Sequence, residues 1–568
     1  MQGNEEKKHN IRGHKILLAS VLCLFGFCLL AQKPVQNKQS RPQQEAKGQA
    51  PKKQQAKSKV YLIHSDMLRK DSRHPDAQVV TGNVVFRHDS VYMYCDSAYY
   101  YDKLGSFEAF SNVKMNQGDT LFLYGDRLYY DGNTQIAEVR NNVRMENRNT
   151  TLLTDSLNYD RLYNLGYFFD GGTLMDEQNV LTSEWGEYNP STKQSVFNYN
   201  VKLVNPQFTL TSDTLEYNTQ SKVAEIVGPS DILSDNNHIY SEQGTYNTAT
   251  GKAALYQRSI ITNDAKQLTG DTLFYDRNTG VGEAFSHMEM RDTINKNMMT
   301  GEYGYYNEKT KYAFATNKAV AIDYSQGDSL FLHADTLMME TVHLDTDSMH
   351  REMRAFHKVR FYRTDMQGVA DSLVFATKDS CLTLYKDPIL WNQNQQLVGE
   401  KVCIYFNDST IERAHIINQA LSVEQIDSTK YNQVSGKEMK SYFRNKQMYK
   451  TEVIGSVRVV YYPMDADSTL IGMNVSETSK LDVYLENQKL EKMVMSPKSS
   501  GTLYPMTQIP AGKDKLDNFV WFEYIRPKNK QDIFNWVPKK VTDQLKKSVR
   551  GPIELPNQHL FENKKKEE

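Results

Sequence analysis

Gly270-Asp271-Thr272-Leu273-Phe274-Tyr275-Asp276-Arg277-Asn278-Thr279-Gly280 is the phrase that decides the fold. It opens on a small residue and an acid, alternates through a leucine and a tyrosine, and closes on turn residues. The same phrase recurs down the chain. Its acids are Asp96, Asp126, Asp155, Glu184, Asp213, Glu242, Asp271 and Glu302, with gaps of 30, 29, 29, 29, 29, 29 and 31 residues. Weaker copies follow at Asp335, Asp371, Glu400 and Glu438. Such a period marks a repeat protein, in which a unit buries its apolar face only by stacking on its neighbours.

The columns of the repeat say what each unit is. Four residues after the acid stands Tyr100, Tyr130, Tyr159, Tyr188, Tyr217, Tyr246, Tyr275 or Tyr306, with Phe375 and Tyr442 later. Turn chemistry follows, as in Asp131-Gly132-Asn133 and Asn189-Pro190-Ser191, and then an alanine such as Ala137, Ala224, Ala284 or Ala313. Strand, short polar turn and strand is a β-hairpin signature. A further apolar column, Val84, Val113, Val143, Val201, Ile232, Ile260 and Met288, is expected to supply the next strand. Helical periodicity is absent from these windows. The chain reads as all-β, built of hairpin repeats of about 29 residues.

Alternation assigns the faces. In Asp155-Ser156-Leu157-Asn158-Tyr159 and Asp213-Thr214-Leu215-Glu216-Tyr217, leucine and tyrosine share one side while Asn158 or Glu216 takes the other. Leu128 with Tyr130 and Leu273 with Tyr275 follow the same rule, so these pairs are expected to face inward. The units also alternate in kind. Asp155, Asp213, Asp271 and Asp335 lead Asp-Ser/Thr-Leu, whereas Glu184, Glu242 and Glu302 lead Glu-x-Gly. One layer therefore needs a bulky leucine, and the next needs a glycine where something approaches closely. The expected result is a coil with two unlike walls.

Composition agrees with a long β body: 39% of the 568 residues are hydrophobic, with 35 tyrosines against 4 tryptophans. Charge is balanced, 68 basic against 69 acidic residues, and no field attracts nucleic acid. At the amino terminus Lys7, Lys8, Arg12 and Lys15 precede an apolar run from Ile16 to Leu30, followed by small Ala31. This reads as a secretory signal over residues 1–31, with an uncleaved anchor as the alternative. Neither Cys23 nor Cys28 follows a lipoprotein-type pattern. Residues 32–58, rich in Gln, Lys and Ala, read as a flexible tether.

Regular repeats are expected over 59–378 and a more irregular β region over 379–530. The polar excess His343-Leu344-Asp345-Thr346-Asp347-Ser348 reads as an elongated hairpin loop. The β region is expected to close around Phe519-Val520-Trp521-Phe522-Glu523-Tyr524. A helix near 542–549 and a charged end then make up a tail over 531–568.

The Gly-Asp-Thr-Leu-x-Tyr-Asp units, their Ala-then-Val hairpin partners, and Pro388-Ile389-Leu390-Trp391 followed by Gln396-Leu397-Val398-Gly399 together resemble the OstA-like family. That family includes LptA and the amino-terminal domain of LptD, which carry lipopolysaccharide to the outer membrane. The resemblance runs from about Val60 to Pro527. It implies an elongated repeat β-jellyroll or solenoid in the periplasm of a Gram-negative-type bacterium, associated there with the outer or inner membrane. It further implies an open seam, with inward leucines and tyrosines against acyl chains and the sugars and phosphates left in water. Each buried methylene contributes about 0.8 kcal/mol, so a continuous apolar groove lowers the barrier to moving such a lipid through water.

The groove candidates are Leu128, Tyr130, Leu157, Tyr159, Leu215, Tyr217, Leu273 and Tyr275. The implied partners are lipopolysaccharide and other envelope transport proteins, joined by pairing of edge strands, with end-to-end self-association as an addition. No cofactor, metal or nucleic acid is expected. The same columns in a closed β stack would only fill a core, which keeps a structural or adhesive envelope role as the alternative.

Other chemistries fare poorly. The ladder of acids looks like paired glycosidase carboxylates, but it recurs at one corner of every unit, where binding of turn groups is the simpler role. His343, His350 and His357 lie near Asp345 and Asp347, yet their seven-residue spacing sets no pair on one strand face. Cys381 and Cys403 are candidates for a disulfide in an oxidising compartment. No nucleophile elbow, phosphate loop or zinc signature is present, and no catalytic residue is expected.

Overall fold

The computed structural model describes residues 59–544, apart from 235–236, 326, 408–409, 446, 466, 468 and 487–488. The expected signal, the tether and most of the tail lie outside the described residues. Among those described, 38 strands join into one continuous hydrogen-bonded sheet, and the helical content is four 3-10 turns. One of these, Val541–Asp543, stands where the sequence led us to expect a helix.

The chain zigzags. Leu121–Asp131 pairs antiparallel with Ile136–Asn147, which pairs antiparallel with Thr150–Asp160, and this continues through Phe208–Asn218, Val223–Leu233 and beyond. Successive layers are thus joined by hairpins. Each long strand also breaks register at its middle, as between Tyr124 and Arg127, which pair with Arg144 and Arg140. The break bends the strand into two halves belonging to two walls. The alanine and valine columns therefore share one kinked strand: Ala137 and Val143 both lie in Ile136–Asn147, on either side of the bend. In places the kink becomes a gap, as between Lys252–Tyr256 and Ile260–Asn263.

Side chains at the corner explain the acid column. Consecutive residues with left-handed backbone recur there, at Ser111-Asn112, Asn141-Asn142, Tyr199-Asn200, Ser286-His287 and Asn317-Lys318. Asparagine tolerates this region better than most residues. The acid of the preceding strand accepts a bond from the second bend residue. Asn112 donates to Asp96 at 2.7 Å, Asn142 to Asp126 at 2.6 Å and Asn200 to Glu184 at 2.5 Å; His287 pairs with Asp271 at 2.7 Å and Lys318 with Glu302 at 3.1 Å. All five pairs are 16 residues apart. In these five units the acid is a structural corner pin.

The alternation of leucine and glycine layers is a packing device. A Cβ on Gly186 would lie 2.6 Å from the Phe168 ring and 3.0 Å from Phe197, and one on Gly304 would lie 2.6 Å from Met288. The glycines make room for large side chains of adjoining strands. His343–Ser348 lies in the loop between Thr336–Val342 and His350–Tyr362, which pair with each other as an elongated hairpin.

The β ladder ends at Ser500–Pro505, earlier than expected. Phe519–Tyr524 forms no strand. It belongs to a strap that runs back over the outer face of the second wall, crossing the strands that hold Gln433, then Gln396, then Gln367. Gln433 donates to Asp514 O at 2.8 Å and accepts from Leu516 N at 2.9 Å. Gln396 donates to Val520 O at 2.9 Å and accepts from Phe522 N at 2.7 Å. Gln367 accepts from the Arg526 guanidinium at 2.6 and 2.8 Å. Phe522 and Ile525 cover Val369, Ile389, Trp391 and Val398, while Leu516 covers Val460, Tyr462 and Met473.

Candidate functional site

Between the walls lies one apolar cluster that extends from Val60 to Leu481. All eight groove candidates belong to it: Leu128, Tyr130, Leu157, Tyr159, Leu215, Tyr217, Leu273 and Tyr275 are buried, none more than 6% exposed. Alternation puts them there, because leucine and tyrosine share the inward face in each of these layers. In these layers the interior is packed.

The two walls meet at the corner on one side and at a seam on the other, where the two series of turns face each other. Polar side chains bridge this seam. His88 Nδ1 lies 2.6 Å from the Tyr130 hydroxyl and 3.1 Å from Arg161. Gln117 donates to Asn164 at 2.7 Å, and Tyr159 donates to both at 3.3 and 3.2 Å. Lys193 donates to Asn147. Lys222 reaches both Asp176 carboxylate oxygens at 2.8 Å, and Tyr217 donates to one of them at 2.7 Å. Arg277 donates to Tyr246 at 3.0 Å and to Gln207; Asn237 donates to Tyr275 at 2.7 Å and to Glu308 at 3.1 Å. The tyrosine column thus ends in hydroxyls at the seam. Burial, reinforced by Asp176, pushes the Tyr217 phenol above its ordinary pKa, so it stays a donor.

Further along, the seam changes character. Met339 and Phe375 replace tyrosine at the fourth position after the acid, removing the hydroxyl. Met339 is 37% exposed, and Met353, Phe375, Leu382, Phe406 and Ile411 on the same inward face are half-buried. On the facing wall Leu330, Met366, Leu397, Val434 and Tyr461 are half-buried as well. From about residue 330 the interior therefore offers an accessible apolar face, rich in adaptable methionine. The sequence reading missed this stretch. Its signal was the loss of the tyrosine hydroxyl in the degenerate repeats.

Other candidate chemistry disperses. Among the described residues no group of three His, Cys, Asp or Glu is placed to hold a metal. His343 and His350 rings stand 5.9 Å apart across the loop, and His357 pairs with Asp371 at a corner, 3.5 Å away. Cys381 and Cys403 are free thiols; Thr383, not Cys381, is the register partner of Cys403.

The model of the family described as OstA-like protein matches residues 57–213 and 207–271. Residues 57–271 of this chain are thus similar to the OstA-like family. Twelve chains of solved structures match this protein. They include LptH, the LptA-homologous periplasmic component of the lipopolysaccharide transport device of Pseudomonas aeruginosa, at 14% identity and a TM-score of 0.20, covering 20% of this chain and 96% of LptH. No curated protein sequence matches. The family match ends within the polar-bridged layers of the stack, before the accessible apolar face begins. Among the described residues no helix is long and apolar enough to cross a membrane.

Proposed function

We propose that this protein binds lipopolysaccharide in the periplasm and passes it toward the outer membrane as part of a bridge between membranes, acting as a carrier and not as an enzyme. The observation that carries the reading is the unbroken apolar interior, closed by polar bridges along its first section and accessible along its second. Acyl chains would enter at Met339, Met353, Phe375 and Phe406, where half-buried side chains already face a seam without tyrosine bridges. The candidates from Leu128 to Tyr275 would take up chains only where the seam parts. Transfer of one chain methylene from water to such an interior is favourable by about 0.8 kcal/mol, which holds a multi-chain lipid while its sugars stay outside.

Edge pairing with related proteins or with another copy is part of the proposal. Tyr61–His64 and Met67–Asp71 pair only with His74–His88 among the described strands, leaving their outer edges open. Tyr61, Ile63, Met67 and Leu68 there are each at least half exposed. An unpaired edge beside exposed apolar groups favours strand addition.

Full burial of the first-section candidates favours a second reading, a structural or adhesive stack with a filled core. Photocrosslinking separates the two. A light-activated side chain is placed at Tyr217, Tyr275, Met353 and Phe375, with outward Glu216 as control, in cells making labelled lipopolysaccharide. Adducts at Met353 and Phe375 and none at Glu216 are expected. A folded, exported protein with no adduct at any site would put the structural reading first.

A further inference from the structure

The seam's lips carry more charge than its bridges use. The wall turns stack on one another through backbone bonds: Arg161 N–H donates to Gln135 O at 3.1 Å, Thr219 to Lys193 at 3.0 Å, Thr248 to Lys222 at 2.8 Å and Arg277 to Gly251 at 3.0 Å. These bonds set the lip residues in a regular row, two strand spacings or about 9–10 Å per repeat. Five cations stand along it. Lys222 is neutralised by Asp176 at 2.8 Å and by Glu177 at 3.3 Å. Arg161 has only Asp89, at 3.9 Å, and its Nε is buried without a hydrogen-bond partner.

The remaining three lack carboxylate partners within 4 Å among the described residues. Lys193 donates to neutral Asn147. Arg277 donates to neutral Tyr246 and Gln207 and lies over the Phe208 ring at 5.4 Å, in space left by Gly251, where a Cβ would sit 3.1 Å from it. Lys266, on the opposite lip, lies over the Tyr306 ring at 5.7 Å, and the Tyr306 hydroxyl is buried with no hydrogen-bond partner. Burial lowers the pKa of both lysines; Arg148 adds to this at Lys193, and Arg351 and Lys311 at Lys266, where the more distant carboxylates of Asp292 and Asp264 oppose it.

Half-buried cations held by neutral acceptors, as Lys193 and Arg277 are, have lost hydration without a contacting counter-charge. An oxyanion restores it through charge-assisted bonds. The whole chain carries a net charge of -1, so no overall positive field supplies the attraction and it must come from these groups. They also border the apolar interior, where a lipid's chains and headgroup divide. We infer that Arg161, Lys193, Lys266 and Arg277 form a rail that binds the phosphate groups of a lipid headgroup while its chains enter the interior where the seam parts. The inference rests on the carrier reading and adds selectivity to it: phosphorylated glycolipids are held and their dephosphorylated forms slip.

The test uses the full chain and a fluorescent lipid A in two forms, bisphosphorylated and phosphatase-treated, with the variant Lys193→Gln/Lys266→Gln/Arg277→Gln and the outward control Lys202→Gln. Wild type and control are expected to bind the phosphorylated form at least tenfold more tightly. The triple variant should bind both forms alike, at the weaker level. Thermal unfolding checks its fold, and the single variants, each expected to lose part of the preference, replace it if it does not fold. Binding of both forms by the triple variant as by wild type would overturn the rail and leave carriage standing. Wild type that binds neither form would overturn carriage itself. Inorganic pyrophosphate that binds the wild type as tightly as the lipid does would make this a free-anion site and overturn the headgroup assignment.

Discussion

Asp176 and Lys222, 46 residues apart, meet across the seam with both carboxylate oxygens 2.8 Å from the ammonium nitrogen. The aspartate is 1% exposed and also accepts from Tyr217. Removing one member of such a pair leaves the other buried and uncompensated. Asp176→Ala is expected to cost about 3 kcal/mol in urea unfolding, and Asp176→Ala/Lys222→Met clearly less than the sum of the two single changes. An additive double variant would show that the two groups do not act as a pair.

Gly186 faces the Phe168 ring at a distance no Cβ tolerates. Gly186→Ala should destabilise by about 1–3 kcal/mol through overpacking, and Phe168→Leu in the same chain should recover most of that loss. Gly244→Ala should resist such rescue, because its Cβ would meet the Ala254 carbonyl at 2.5 Å and backbone cannot be trimmed. Denaturation midpoints of the four proteins decide this.

Gln396 holds the strap by two bonds and is fully buried. Gln396→Leu strands the Val520 carbonyl and the Phe522 amide, at an expected cost of about 2–4 kcal/mol. Limited proteolysis should then cut within residues 510–535 faster than in wild type. Unchanged cleavage would show that Gln433, Gln367 and the apolar contacts suffice.

His333 donates its Nδ1–H to Ala319 O at 2.7 Å and packs on Phe534 of the strap, 4.8 Å between ring centres. Burial holds its pKa below the ordinary histidine value of 6.5. The unfolded chain therefore takes up the proton first, and stability falls as pH drops below about 6.5, levelling off beneath the folded-state value. His415, depressed chiefly by burial, adds the same sign. Unfolding measured between pH 7.5 and 5 should show a shallower loss in His333→Asn than in wild type.

The regular layers were legible in the sequence because one physical rule repeats in each. Alternation put Leu157, Tyr159, Leu215 and Tyr217 inside, and the glycine column announced close packing that Phe168 and Met288 supply. The bend was hidden, since Asn141-Asn142 reads as loop chemistry although it sits mid-strand, and its partner Asp126 lies a whole hairpin away. Phe519–Tyr524 alternates like a strand, but its backbone is satisfied by glutamine side chains distant in sequence. Nor did any local pattern show Lys193 opposite Asn147. Seam contacts join turns one and a half repeats apart, a relation set by stacking geometry.

The strap also imposes an order on folding. Layers up to about residue 330 need only their immediate neighbours, so each can close as it leaves the ribosome. The outer face around Ile389, Trp391 and Val398 must wait until residues 516–533 have been made. During that interval a flat apolar surface on a β sheet stands open to other nascent chains, and a chaperone that shields it would govern the yield of folded protein.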